Sequence, residues 1–336
     1  MRAVVLVGGF GTRLRPLTLD TPKQMLPVCG ATMLERVVAR LGSFGVDEVV
    51  LSLGYRPDVF LDAYPDGRCA GVPLHYAVEP EPLDTAGAIA FAAREAGIDE
   101  TFLALNGDVL TDMDLTELVG RHREAGARAT ISLTAVEDPS RFGVVVTDDD
   151  GHVVDFVEKP EPGTAPSNWI NAGTYVLEPS ALASVAPGQK SSIEREVFPA
   201  LAAEGSLYAV RSDAYWLDAG TPLAYLQAHL DLLAGRRAQP CEAIGAGATI
   251  ADEAIVRGSV IGVGAVIEPG ACVIDSVVMD GARIGAGARV ERAVVGARST
   301  VGAGATVIDL AVVGLDREVP DGLVLAGDTF PAKADW

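Results

Sequence analysis

Histidine and cysteine are scarce, four of each in 336 residues. The histidines, His75, His122, His152 and His229, form no cluster and are expected to be incidental. Cys29, Cys69, Cys241 and Cys272 form no C-x-x-C pair, so neither a zinc site nor a disulfide framework is indicated. That usage suits a reducing cytoplasm. No run of 18 apolar residues occurs, so no membrane span is expected. The N-terminus lacks the basic, apolar and small-residue succession of a signal peptide, and none is expected. Positive charge is also short, with 26 Lys and Arg against 46 Asp and Glu, a net −20. Such a chain repels nucleic acid and anionic membranes, so neither is an expected partner. Any cations that bind an anionic ligand must be concentrated locally.

One stretch concentrates them. The apolar run Ala3 to Val7 has the length of a buried strand and breaks at Gly8-Gly9-Phe10-Gly11. Three glycines in four positions allow positive φ and close approach of backbone to a ligand. Thr12, Arg13 and Arg15 follow, with Lys23 ten residues beyond Arg13. Two familiar phosphate motifs are missing. No Gly-Lys pair completes a Walker loop, and Leu14 stands where a dinucleotide fingerprint needs its third glycine. Bare amides, a hydroxyl and three cations remain, which suits a polyphosphate cradle of another kind. A plain tight turn would satisfy the glycines but leaves Arg13 and Lys23 unexplained.

Strand-like and helix-like segments alternate up to about residue 235. Met33, Leu34, Val37, Val38 and Leu41 share one helical face. Strands are predicted at Glu48–Leu53, Leu74–Val78 and Thr101–Leu105, and helices at 57–64 and Thr85–Ala96, with Thr85 as a cap. A hairpin spans Phe142–Thr147 and His152–Val157, turning at Asp150-Gly151. Asn171–Leu177 and Leu207–Arg211 read as strands, Ile193–Ala203 and Pro222–Leu233 as helices. This rhythm implies a Rossmann-like, mostly parallel mixed sheet with ligands beyond the carboxyl ends of its strands. Gly8-Gly9 and Asp108 both follow such ends.

From Ile244 the texture changes. Aliphatic residues recur at Ile244, Ile250, Val256, Ile261, Ile267, Val273, Val278, Ile284, Val290, Val295, Val301 and Val307. Steps of six, six and five give a period of 17, extended to Val312. Three aliphatic faces per coil predict a left-handed parallel β-helix. The expected domains are 1–235 and 241–336, with a linker at 234–240.

The motif G-G-x-G-T-R-L-R-P-L-T followed by P-K-x-M-x-P-V, here from Gly8 to Val28, resembles the sugar-1-phosphate nucleotidylyltransferases. Within that family it is most similar to the guanylyltransferases that use mannose 1-phosphate. Gln24 departs from the pattern, since many relatives carry proline there. The resemblance implies a nucleotidyltransferase fold, Mg2+ as cofactor, and GTP with a sugar 1-phosphate as substrates, giving GDP-mannose and pyrophosphate. It implies that Arg13, Lys23 and Asp108 are catalytic, and that Asp108 and Asp218 hold the metal. It assigns the nucleotide to Val7, Gly8, Gly9, Gly11, Thr12, Arg13, Lys23, Glu79, Asp84, Thr85 and Asp108. It assigns the sugar phosphate to Gly143, Glu158, Lys159, Asn171 and Asp218. Read alone, Asp108 is a turn residue, Asp218 a helix cap, and Glu158-Lys159 a charged hairpin end.

Relatives usually show L-G-T-A-G-A near the nucleobase, whereas this chain has Leu83-Asp84-Thr85-Ala86-Gly87-Ala88. The Asp84 carboxylate could accept hydrogen bonds from guanine N1–H and the 2-amino group, or simply cap the helix. Ser192 to Pro199 also follows the guanylyltransferase pattern and reads as a capped, structural helix. Alternative substrates are glucose 1-phosphate or a cyclitol phosphate with ATP, dTTP or UTP. An acyltransferase built on the β-helix would want a histidine there, and residues 241–336 contain none. A non-catalytic paralogue would have no need of Arg13, Lys23, Asp108 and Asp218 together. A homo-oligomer, assembled through the β-helix, is the expected state.

Overall fold

The computed structural model describes residues 1–237 and 241–336. The expected linker at 234–240 therefore falls partly outside the described residues. Two compact units are present: Met1–Gly9 with Leu34–Trp216, and Phe10–Met33 with Leu217–Trp336.

The first unit is built on β1 (Arg2–Leu6), β2 (Glu48–Leu53), β3 (Val72–Val78), β4 (Phe102–Asn106) and β5 (Ala129–Ala135). It continues with β6 (Gly143–Thr147), β7 (Val153–Glu158), β8 (Trp169–Leu177) and β9 (Leu207–Arg211). The sheet runs β7-β6-β8-β4-β1-β2-β3, with β5 pairing β8 and β9. Strands β1 to β4 are parallel, and Val5 lies level with Leu51 and Leu105. Their carboxyl ends therefore share one edge. Strand β8 enters antiparallel beside β4, with Thr174 opposite Leu105, so its first residues reach that same edge. Near-continuous apolar runs such as Val49–Leu51 are fully buried, as strands covered on both faces require.

Helices α1 (Met33–Ser43), α2 (Asp84–Glu95), α3 (Leu115–Ala125) and α4 (Phe198–Ala203) complete the layers. Helix α1 buries the five residues of its predicted stripe. Helix α3 was not expected from the sequence, although its signals are ordinary. Asp114 accepts from the amides of Thr116 and Glu117, Gly126 closes the helix at φ 59°, and Leu115, Leu118, Val119 and His122 form the buried face. Buried His122 bonds Thr130 at 2.8 Å and Glu178 at 3.2 Å, so it holds α3 to β5 rather than being incidental.

In the second unit, α5 (Pro222–Leu233) is followed by three five-stranded parallel sheets, the sides of the left-handed β-helix. Ile250, Ile267, Ile284, Val301 and Val319 stack in register on one side. Val256, Val273, Val290, Val307 and Leu325 stack on the second. Each central column residue is buried against the coils before and after it. A polar ladder runs beside them. The Ser259 hydroxyl accepts from the Ser276 amide at 3.0 Å, and the Ser276 hydroxyl from the Ala293 amide at 3.1 Å.

The 17-residue period breaks once. Val313, not Val312, stacks on Val295, and the steps Val301 to Val319 and Val307 to Leu325 are 18 residues. The equivalent corners hold one residue of positive φ, Asp275 or Arg292. The late corner holds two, Asp309 and Leu310, which absorb the extra residue.

The cysteines also depart from expectation. Cys29 and Cys241 form a disulfide with Cα atoms 5.2 Å apart, although 212 residues separate them. No local spacing can signal such a pair. His229 of α5 fixes the same turn, its Nδ1 accepting from the Cys29 amide at 3.3 Å and its Nε2–H donating to the Pro27 carbonyl at 3.1 Å. Cys69 and Cys272 are free thiols. Denatured without reductant, the protein should titrate two thiols, and four after reduction. A count of four before reduction would contradict the bridge. In the native state Cys272 should label first, because burial pushes the Cys69 thiol up to about 11.

Candidate active site

In the first unit the carboxyl edge of the sheet gathers six of the sequence-predicted residues. Val7 continues β1, its amide donating to Ser52 O at 3.1 Å, and Gly8 follows. A Cβ on Gly8 would stand 3.2 Å from the Gly54 amide nitrogen and 3.3 Å from Glu79 Oε1. Only glycine lets this turn pass so close to the loops after β2 and β3. Glu79 follows β3 and is held at both oxygens. Ser52 donates to Oε1 at 2.9 Å and the Leu83 amide to Oε2 at 3.1 Å. It thereby braces the 83–85 turn. Asp108 follows β4 and is nearly buried. Gly107 before it donates to Leu6 O at 3.0 Å, and a Cβ there would meet Val7 Cγ1 at 2.8 Å. That packing places Asp108 beside the end of β1.

The 84–85 turn differs from its sequence reading. Asp84 opens α2 at φ 60°, a left-handed conformation costing a non-glycine residue roughly 1–2 kcal/mol. Its Oδ1 accepts from the Thr85 amide at 2.8 Å, which offsets part of that cost. Thr85 does not cap its own helix. Its hydroxyl donates to Glu194 Oε2 at 2.7 Å and accepts from the Ile193 amide at 2.8 Å. The amides of Ala86 and Gly87 donate to Ser191 O. Ile193–Val197 forms a π-helical turn rather than the first turn of a plain α-helix, with Ser192 accepting from the Arg195 amide as the predicted cap. Such turns are rare and concentrate at functional sites. Arg195 Nη2 lies 3.6 Å from Asp84 Oδ2. Ser52, Ser191, Glu194 and Arg195 were missed as functional candidates, because their partners are distant in sequence.

The predicted sugar set forms a second cluster in this unit. Gly143 opens β6 opposite Glu158, which closes β7. A Cβ on Gly143 would sit 2.7 Å from Phe156 Cζ and 3.0 Å from Glu158 Oε2. Lys159, at φ 50°, ion-pairs with Glu158 at 2.6 Å. Asn171 donates to the Tyr175 hydroxyl at 2.9 Å and accepts from the Gly173 amide at 2.9 Å. Burial, with Glu194 a lesser cause, holds the Tyr175 phenol well above its ordinary value, so it remains a neutral partner for Asn171.

The remaining predicted residues, after exposed Gly9, lie in the second unit. Gly11 is left-handed at φ 63° and caps the 3-10 turn Thr12–Leu14, which carries Thr12 and Arg13. The buried Thr18 hydroxyl donates to Gly11 O at 2.7 Å, and a Cβ on Gly11 would lie 3.2 Å from Lys23 Cβ. The loop is therefore folded onto Lys23, which opens the 3-10 turn Lys23–Met25. Gln24, the departure from proline, is buried. Asp218 closes the strand Trp216–Asp218 and accepts from the Gly220 amide at 2.9 Å. Thr221, not Asp218, caps α5. Asp218 Oδ2 lies 3.6 Å from Arg13 Nη2. The unit thus sets a cation beside a carboxylate. With more than half of Arg13 exposed the pair adds little stability.

Among the described residues one group of three has metal-ligand spacing, Asp148, Asp150 and His152. It lies at the turn of the β6–β7 hairpin, the end opposite Gly143 and Glu158, about 15 Å of strand away. Asp148 Oδ1 accepts from the amides of Asp150 and His152, and Oδ2 lies 3.3 Å from His152 Nδ1, so the group already serves the turn.

Residues 2–235 match the family model described as Nucleotidyl transferase. The chain belongs to that family. Residues 238–334 match the family described as GMPPB C-terminal domain. The mannose-1-phosphate guanylyltransferase of Mycobacterium tuberculosis is 40% identical over 268 residues, 77% of this chain and 74% of that one. The mannose-1-phosphate guanylyltransferase catalytic subunit beta of Dictyostelium discoideum is 40% identical over 230 residues, 67% and 63%. Among solved structures, HddC from Yersinia pseudotuberculosis superposes with a TM-score of 0.59 at 31% identity, over 68% of this chain and 97% of that one. The same protein complexed with GMP-PN gives 0.58 at 30%, with the same coverage. In a nucleotidyl transferase, the glycine turn after β1 and the carboxylate after β4 stand where the sheet presents ligands.

Proposed function

We propose that this enzyme transfers a guanylyl group from GTP to mannose 1-phosphate, forming GDP-mannose and pyrophosphate. The observation that carries the reading is the 40% identity to a mannose-1-phosphate guanylyltransferase across three quarters of both chains. An oxygen of the sugar phosphate attacks the α-phosphorus, the bond to the bridging β-phosphate oxygen breaks, and pyrophosphate leaves. The nucleophile is already an anion, so no general base is needed. Catalysis rests on positioning and on cations.

Arg13 and Lys23 neutralise charge on the phosphoryl oxygens, and Thr12 with the amides of Gly8, Gly9 and Gly11 cradles the triphosphate. Val7 and Glu79 shape the wall that carries Asp84 and Thr85. Glu158 binds sugar hydroxyls, Lys159 the sugar phosphate, and Gly143 with Asn171 lines the pocket. Asp108 and Asp218 are hard oxygen donors following strands, and such carboxylates fit a magnesium ion that keeps its other positions for phosphate oxygens. Bound there, Mg2+ would supply charge neutralisation for the leaving pyrophosphate. Residues 1–235 form the catalytic domain and 241–336 the β-helix domain in this reading.

Pyrophosphate release measured with GTP, ATP, UTP, dTTP and CTP against a panel of sugar phosphates tests it. The pair GTP and mannose 1-phosphate should give the highest kcat/KM, and a higher value for any other pair would reject the assignment. A cytoplasmic setting and self-association through the β-helix belong to the same proposal. A monomer mass by light scattering would remove the latter.

A further inference from the structure

We propose that Asp84 and Arg195 read the guanine base together, Asp84 as acceptor and Arg195 as donor. The inference rests on the guanylyltransferase reading and extends it from the reaction to the choice of base. Three observations carry it. Asp84 occupies a left-handed position where a side chain is disfavoured, and it does so with one carboxylate oxygen spent on the Thr85 amide. Its other oxygen lies 3.6 Å from Arg195 Nη2, too long for a hydrogen bond. Arg195 is two-thirds exposed, and among the described residues no other side chain pairs with its guanidinium, which retains its donors.

The pair is also firmly placed. Arg195 sits on a π-helical turn whose amide is capped by Ser192. Glu194 of that turn accepts from Thr85 and from Ser192, at 2.7 and 3.0 Å. The Ile193 amide donates to Thr85, and Ser191 O accepts from two amides of α2. The segment 191–195 and the turn 83–87 are thus one bonded piece. Its exposed edge presents an acceptor next to a cluster of donors.

Guanine shows the complementary order. N1–H and the 2-amino group are adjacent donors, and O6 with N7 are acceptors that arginine engages in bidentate fashion. Adenine reverses the order, setting a ring lone pair against Asp84 and an amino group against Arg195. Mismatched polar groups then penalise the wrong base as well as failing to hold it.

The two residues should have separable signatures. Inosine triphosphate lacks the 2-amino group but keeps O6. In the wild type, kcat/KM for GTP should exceed that for ITP by about tenfold or more, and that for ATP by about 100-fold. Asp84→Asn keeps a residue that tolerates left-handed φ and still caps Thr85, yet it loses an acceptor. It should bring the GTP-to-ITP ratio below about threefold. Arg195→Gln, on an exposed side chain, should leave the GTP-to-ITP ratio as it was and cut the GTP-to-ATP ratio at least tenfold. If the wild type prefers GTP and neither variant shifts its ratio, base reading by this pair is overturned while the guanylyltransferase assignment stands. If the wild type prefers another triphosphate, both fall.

Discussion

Replacing Asp108 by Asn should reduce kcat by about a thousandfold or more while leaving the melting temperature almost unchanged. The choice of Asn decides between two accounts of this residue. As a turn residue after β4, Asp108 could be exchanged for Asn with little loss, because both side chains accept local amides and tolerate turn geometry. As a ligand for a divalent cation it could not, because the amide carries no charge. Removing one preorganised electrostatic partner from an active site costs about a hundred- to a thousandfold, and a metal ligand also carries the charge that holds the ion. The site is nearly buried, and Gly107 is pressed against β1 with no room for a Cβ, so the carboxylate's position is set by the backbone. Asp148→Asn, at the hairpin turn with Asp150 and His152, should leave pyrophosphate release within about twofold. Activity retained in Asp108→Asn, or lost in Asp148→Asn, would move the metal away from Asp108.

The difference between these two carboxylates shows what a sequence can and cannot disclose. Asp108 was legible because it follows a buried strand in a β/α rhythm, and parallel strands put all such positions on one edge. Strands Glu48–Leu53 and Leu207–Arg211 and the helix Pro222–Leu233 were legible to the residue, since each has a clean period and a clear stop. The roles proposed for the site residues come from the family resemblance. What stayed hidden depends on contacts between distant segments. Thr85 read as a cap because the local pattern fits one, but its partner Glu194 lies 109 residues on. The same distance hid the bonds that tie the segment 191–194 to the 83–87 turn. Cys29 and Cys241, 212 residues apart, gave no sign of meeting. In the β-helix the period named the stacked aliphatic residues from Ile250 through Val307. It failed at Asp309-Leu310, where one inserted residue moves the inward position from Val312 to Val313.

That regularity makes the second large effect predictable. Val290→Asp should lower the melting temperature by about 10 °C or more, whereas Ile250→Asp should lower it by only a few degrees. Both replace an inward aliphatic residue with the same carboxyl group. Val290 belongs to the third of five strands in its column, fully buried between Val273 and Val307. An unpaired carboxyl there costs several kcal/mol even when protonated, because nothing inside the coil can bond it. Four kcal/mol corresponds to roughly 8–16 °C for a chain of 150–250 residues. The position matters as much as the chemistry. A coil stack is stabilised by nearest-neighbour interfaces, and several contiguous coils are needed to hold it. Breaking the middle coil leaves two on each side. Ile250 is half-buried in the first strand of its column and has one stacked neighbour, Ile267, so only one interface is lost. Melting followed by circular dichroism compares the two directly. Equal shifts would mean that the β-helix melts as a single block, with no coil-by-coil accounting of its stability.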